Sequence, residues 1–168
     1  MRMAYFNELD SYAVARGLFA PTGLVQAVRQ MGGFVQADPL RVPARAQDLT
    51  LRHRVRGYRA GDLERRYPSL AVQEDFFINY GFLVPELRAL MHPRTAVQPW
   101  DDARWAQANG VLGQVRRLGR AHPAEVDAAL QHGMAVNWFG GQSRLTTGLL
   151  DGLHYRGLLD VVGRDSGT

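Results

Sequence analysis

The 168-residue chain contains no cysteine, and although it carries 20 basic residues every one of them is arginine. Without cysteine there are no disulfides, no thiolate catalysis and no cysteine-based zinc sites. Without lysine there is no lysine amine for a Schiff base. Long apolar runs are missing as well: none approaches the roughly 18 to 20 residues of a membrane span. Glu8, Asp10 and Arg16 interrupt the stretch where a signal peptide would need its apolar segment. These absences point to a cytoplasmic protein. His53, His92, His122, His132 and His154 share no ligand spacing on a common helix face, so no metal is expected. There is also no phosphate-cradling glycine loop and no Gly-x-Ser-x-Gly elbow.

What is present is an ordinary globular composition. Apolar residues make up 46% of the chain, enough for one good-sized core or two small ones. The formal charge of +4 favours polyanions, and arginine forks onto phosphate oxygens in a way lysine cannot. A GC-rich genome would produce the same arginine bias.

Residues 8–32 read as two short helices broken at Ala20-Pro21-Thr22-Gly23, with Thr22 as a cap and Leu24, Val25, Val28 and Met31 as an apolar stripe. After Gly32-Gly33 comes a short strand whose alternation turns Val35 and Ala37 to the core and Gln36 and Asp38 to the other face. Pro39 holds Asp38 extended. The spacing predicts a helix over about 42–54, with Val42, Ala46, Leu49 and His53 on one face and Arg41, Arg45 and Arg52 on a neighbouring one. The cluster Arg52-His53-Arg54-Val55-Arg56-Gly57 marks its exit. A further short helix is expected over 62–67, and the aromatic run Phe76, Phe77, Tyr80 and Phe82 reads as core. Residues 91–100, with two prolines and little periodicity, read as a linker.

The second half has the grammar of three helices. Asp101 or Asp102 caps the first, which bears Trp105, Ala108, Leu112, Val115 and Leu118. Pro123 opens the second, with Val126, Ala129 and Leu130 inward. Residues 137–142 form a glycine-containing turn with Trp138 in the core. Ser143 caps the third helix, which carries Leu145, Leu149 and Leu153 and ends at Gly157. A strand is expected next over Leu158–Val162, turning at 163–167, which gives a winged-helix order that stops before its second wing strand returns. The expected domains are therefore 1–92 and 101–168, joined by a linker at 93–100.

Chemistry concentrates at Gln36 and Asp38. Taken alone, a strand-end Asp before proline reads as a turn or helix cap; as chemistry, a carboxylate can orient or deprotonate water and an amide can hold it. Arg41, Arg45, Arg52, Arg54 and Arg56 form a basic patch beside the pair, suited to phosphate contacts that position a duplex without reading its sequence. The outer face of the last helix offers Arg144, Thr147, Asp151 and His154. Because Asp151 repels phosphate, backbone docking through Arg144 and Thr147 is preferred to base reading. The adjacent acids Glu74-Asp75 and Asp101-Asp102 point apart on a helix, and capping explains them better than acid–base work.

The run Gly33-Phe34-Val35-Gln36-Ala37-Asp38-Pro39, with Arg41 and Ala44-Arg45 after it, resembles the active-site stretch of the YcaQ/AlkZ-like winged-helix DNA glycosylases. That motif is Gln-aliphatic-Gln in one branch and Gln-aliphatic-Asp in another, and Gln36-Ala37-Asp38 matches the second. The resemblance implies a mainly α fold with short β strands, in a tandem winged-helix (helix-turn-helix) architecture truncated here before the third winged helix. It implies a bacterial, nucleoid-associated protein acting on double-stranded DNA. The reaction would be hydrolysis of the N-glycosidic bond of alkylated or crosslinked bases, with Gln36 and Asp38 as catalytic pair and no metal or organic cofactor. The chain departs from the family in length, roughly half of it being present. It departs again at Asp75-Phe76-Phe77-Ile78-Asn79-Tyr80, where many members have an acid, a tryptophan and a histidine. A separately encoded C-terminal half is the partner that would complete the interrupted wing. The alternative reading is a winged-helix DNA-binding module without catalysis, or a truncated relic.

Overall fold

The computed structural model describes residues 2–38, 40–136 and 140–164. Among them are eight α-helices, a single 3-10 turn and two small antiparallel sheets. The chain divides into two compact units, Met1–Met91 together with Val161–Thr168, and His92–Asp160.

The first unit runs α1 (Arg2–Gly17), α2 (Leu24–Gln30), β1 (Phe34–Gln36), α3 (Ala46–Leu51), α4 (Asp62–Arg66), the 3-10 turn Tyr67–Ser69, β2 (Gln73–Phe76), β3 (Tyr80–Leu83) and α5 (Pro85–Met91). Its sheet has the order β1-β3-β2, with both pairings antiparallel. Leu24, Ala27 and Val28 of α2 pack with Val35, Leu51, Val55, Leu63, Tyr67 and Phe82 in one core. Each fully buried side chain of this size contributes roughly 1.5–3 kcal/mol of transfer free energy. Gly81, opposite Gln36 on one side and Asp75 on the other, has to be glycine. A Cβ there would meet the Phe34 ring and the Val35 carbonyl oxygen, both at 2.4 Å. The space that glycine leaves open admits the Phe34 ring, which stacks edge-on against Phe77 at 5.5 Å.

Three local expectations change in this unit. Thr22 does not cap α2. The residue before that helix is Gly23, and Thr22 instead bridges Val55: its N–H donates to the Arg54 carbonyl at 3.0 Å and its carbonyl accepts the Arg56 N–H at 3.0 Å. The helix expected over 42–54 is only Ala46–Leu51. Arg45 ahead of it is extended (φ −62°, ψ 144°), and Val42 is 91% exposed instead of facing the core. Beyond Leu51 the chain turns so that Val55 can bury itself and pair with Thr22, a tertiary contact that overrides helical periodicity. Glu74 and Asp75 sit on strand β2 rather than on a helix, so they point to opposite faces of the sheet, and both are buried.

The second unit holds α6 (Asp102–Leu118), α7 (Pro123–Leu130), β4 (Met134–Val136), β5 (Gln142–Arg144) and α8 (Leu145–Tyr155). Asp101 caps α6 by accepting the Arg104 N–H at 2.7 Å. A capping box between His122 and Glu125 opens α7 around Pro123. Ala108, Val111, Leu112, Val126, Leu149 and Leu153 form the core, while Leu118 is exposed. The α8 helix ends as expected at Gly157 (φ 71°). The Leu158 N–H reaches the Leu153 carbonyl at 3.0 Å and the Gly157 N–H reaches His154 at 2.9 Å, the Schellman pattern.

That reversal sends the chain back over α8 instead of into a wing. Residues 158–162 form no strand, and the hairpin of this unit, β4–β5, precedes α8. Ser143 accordingly lies in β5, and Arg144 occupies the position before α8. His154, expected on the outer face, is buried under the returning chain, with Nδ1 3.0 Å from the Leu159 carbonyl oxygen. The expected turn at 137–142 falls partly, and Trp138 wholly, outside the described residues.

Candidate functional site

Gln36 is the last residue of β1, an edge strand of the first unit's sheet, and its side chain is exposed. The ladder extends one residue further, because the Ala37 N–H donates to the Tyr80 carbonyl at 2.9 Å. Ala37 packs on the core beside buried Val35, as strand alternation requires.

Asp38, half-buried, is held at two points. Its N–H donates to Gln47 Oε1 at 3.0 Å, and its own Oδ1 accepts the Leu40 N–H at 2.8 Å. Oδ2 has no hydrogen-bond partner among the described residues, and the exposed Gln36 lies two residues earlier in the chain. Such a pair can hold and polarise a water molecule.

Around this point the surface mixes apolar and cationic groups. Leu40, Val42, Phe77 and Ile78 are exposed, the last two at the tip of the β2–β3 hairpin that shares the Ala37–Tyr80 bond. Among the expected basic residues, Arg41, Arg52 and Arg56 are exposed and their guanidinium groups meet no partner among the described residues. Arg52 also lines a cavity of about 260 Å³ with Ala44, Asp48, Leu49, Tyr58 and Ala60.

The other two arginines of the patch face inward. Arg54 donates to the Gly17 and Thr50 carbonyls at 2.9 and 2.8 Å, joining the end of α1 to the end of α3. Arg45 is ion-paired with Glu64, both side chains being nearly enclosed. In the second unit Arg144 pairs with Asp127 and Thr147 is exposed on the first turn of α8.

Three buried polar clusters of the first unit escaped the sequence. Asp48 accepts the Tyr58 hydroxyl and the Gly61 N–H, each at 2.8 Å; burial, reinforced by Asp48, pushes the Tyr58 phenol well above its usual range. Asp75 accepts Arg88 Nε at 3.3 Å. Glu74 is forked by Arg164, whose Nε lies 3.0 Å from both carboxylate oxygens, and it also accepts the Tyr80 hydroxyl at 2.5 Å. Burial and then the Glu74 charge raise the Tyr80 phenol, while Glu74 holds the Arg164 guanidinium firmly protonated. The partners of these acids lie up to 90 residues away, so no local spacing could have shown them.

Among the described residues no group of three or more histidine, aspartate or glutamate side chains is placed to hold a metal ion, and no helix is long and apolar enough to cross a membrane.

Comparison with known proteins adds a family. No curated protein and no solved structure matches the chain. The family model described as DNA glycosylase AlkZ-like matches residues 28–168, a span that includes Gln36 and Asp38 and all of the second unit. With most of its length matched, the chain belongs to the AlkZ-like DNA glycosylase family.

Proposed function

We propose that the protein excises alkylated or crosslinked bases from duplex DNA by hydrolysing the N-glycosidic bond, on the Gln-x-Asp pattern. The observation that carries this reading is the placement of Gln36 and Asp38: an exposed amide and, two residues on, a half-buried aspartate held at its N–H and Oδ1 with Oδ2 unpartnered among the described residues, at the end of an edge strand. Asp38 takes the proton of an attacking water, or orients it, and its charge stabilises the positive charge that develops on the sugar as the base departs. Gln36 holds the water or the sugar ring. A base alkylated at N7 is cationic and leaves as the neutral base with the electron pair of the broken bond, the water proton taken by Asp38 passes on to solvent, and with no lysine in the chain the reaction stops at the abasic site.

The DNA-facing surface on this reading is that of the first unit around the pair. Arg41, Arg52 and Arg56 supply phosphate contacts, and Leu40, Val42 and Ile78 supply apolar contact to sugars and exposed bases. Arg45 and Arg54, spent inside the fold, contribute to its shape instead. We further read the first unit as a winged helix. Its order of helix, strand, two helices and two strands, with sheet order β1-β3-β2, supports this, and the β2–β3 hairpin is then the wing. The second unit would be a divergent relative joined through residues 93–100, with Arg144 and Thr147 as backbone contacts.

The test is single-turnover release of free base from duplex DNA carrying an N7-alkylguanine. Asp38→Asn is expected to lower the rate by about 100-fold or more, as general-base loss does, with duplex affinity unchanged. Equal rates for parent and variant would remove Asp38 from the reaction. DNA binding with no release by the parent would favour a binding module.

A further inference from the structure

We propose that Gln47 is a positioning residue for Asp38, with its amide locked in one orientation by the Arg45–Glu64 ion pair. The proposal rests on the reading of Asp38 as the catalytic carboxylate, but its structural core can be tested without it.

Gln47 is 2% exposed, an unusual place for an amide unless every polar atom is satisfied. Its Oε1 accepts the Asp38 N–H at 3.0 Å and its Nε2 donates to Glu64 Oε1 at 2.7 Å. The assignment of oxygen and nitrogen is dictated by the neighbours. A backbone N–H can only donate and a carboxylate can only accept, so the amide fits between them in a single orientation. Arg45 donates to the same Glu64 oxygen and holds that carboxylate in place. Glu64 is in turn set by the start of α4, where the Gly61 N–H is tied to buried Asp48 at 2.8 Å. Gly61, at φ 78°, is a conformation that side-chain-bearing residues rarely adopt.

The result is a chain of bonds from Arg45 through Glu64 and Gln47 to the backbone of Asp38. It fixes the residue from its N–H side while the Leu40 N–H fixes Oδ1, and Oδ2 is left without a hydrogen-bond partner among the described residues. Misplacing a catalytic group by about 1 Å can cost about 100-fold in rate. The chain also gives Arg45, which the sequence places in the phosphate-binding patch, a role inside the site.

The discriminating variants are Gln47→Glu alone and Gln47→Glu together with Glu64→Gln. The first sets two carboxylates against each other with no proton donor between them. The second reverses the pair, so that the new amide at position 64 donates to the new carboxylate at 47, which still accepts the Asp38 N–H, while Arg45, whose present oxygen partner is the atom that becomes the amide nitrogen, shifts to the amide oxygen or to the new carboxylate.

Two readouts are taken on each variant: hydrogen exchange of the Asp38 amide by NMR, and single-turnover base release with duplex affinity measured alongside. Gln47→Glu is expected to lose protection at Asp38 and to release base about 10 to 100 times more slowly at unchanged affinity, and the double variant is expected to recover both. Recovery in the double variant excludes simple misfolding as the cause of the single one. Unchanged exchange at Asp38 in the single variant overturns the proposal, and so does an unchanged rate in an active protein. Should the parent release no base at all, the reading of Asp38 as catalytic fails, and the exchange data still decide whether Gln47 holds it.

Discussion

In the first unit two carboxylates lie in the middle of a strand, Glu74 and Asp75, each almost fully enclosed and each met by an arginine from elsewhere in the chain. The second unit also buries polar side chains, but at helix ends: Asp127 in the last turn of α7, Thr146 in the first turn of α8 and His154 in its last. Helix ends carry unpaired backbone groups that a nearby polar side chain can meet. A carboxylate in mid-sheet is costly until an arginine reaches it, and removing that arginine leaves an uncompensated buried charge. Apolar packing along helical stripes therefore accounts for most of the second unit's stability. The first unit depends in addition on a few polar groups that fit in one arrangement only, and the candidate site lies among them.

This contrast can be broken at either end. The largest effect is expected from Leu149→Ala in α8, since the side chain is fully buried in the second unit's core. The loss should be about 4 kcal/mol, combining transfer and cavity costs. Urea unfolding monitored by tryptophan fluorescence reads it, because Trp100, Trp105 and Trp138 all fall in that unit. A loss below about 1 kcal/mol would mean that the stripe is not what holds the helices together.

Next comes Arg164→Ala. It strands Glu74 inside the first unit, for an expected loss of about 3 kcal/mol, at the low end for a broken buried pair because the arginine is itself 31% exposed. Replacing both residues by leucine should recover most of that loss, since a buried pair exchanged for apolar side chains is often neutral. Amide exchange along β2 and β3 is the measurement. Equal destabilisation of the single and double variants would show that the pair matters for its shape and not for its charge, and the contrast between the units would narrow to packing alone.

The same contrast explains what could be read in advance. The second unit's helices were legible because their signals are local: Asp101 and Pro123 at starts, Gly157 at an end, Leu149 and Leu153 one helical turn apart. The site strand was legible for a similar reason, since alternation alone turns Val35 inward and Gln36 outward. Elsewhere the deciding contacts are long-range. The helix after Asp38 is short because Val55 must reach Thr22, the strand after Gly157 is absent because the chain folds back over His154, and Glu74 is buried because Arg164 arrives 90 residues later. Within the site, Arg45 looked like its exposed neighbours Arg41 and Arg52. Only the position of Glu64 separates them.

The smallest expected effect concerns the second unit's ion pair. Arg144, two-thirds exposed at 66%, donates to Asp127 and is the main reason that this carboxyl lies below the usual aspartate range, with burial opposing. In the unfolded chain the carboxyl returns to about pKa 3.9. The unfolded state therefore takes up its proton at higher pH than the folded state. The stabilisation is complete above about pH 4 and is lost as pH falls through the lower folded value. Removing the arginine brings the two values together, so Arg144→Ala should flatten the acid limb of the urea midpoint while changing it little at neutral pH. An unchanged acid limb would mean that Asp127 draws nothing from Arg144. The same variant probes the phosphate role proposed for this residue, because loss of one phosphate contact reduces the salt dependence of duplex binding by about one unit of slope. A flattened acid limb with an unchanged salt slope would make Arg144 a structural partner of Asp127 alone, and the DNA-facing surface would then belong to the first unit.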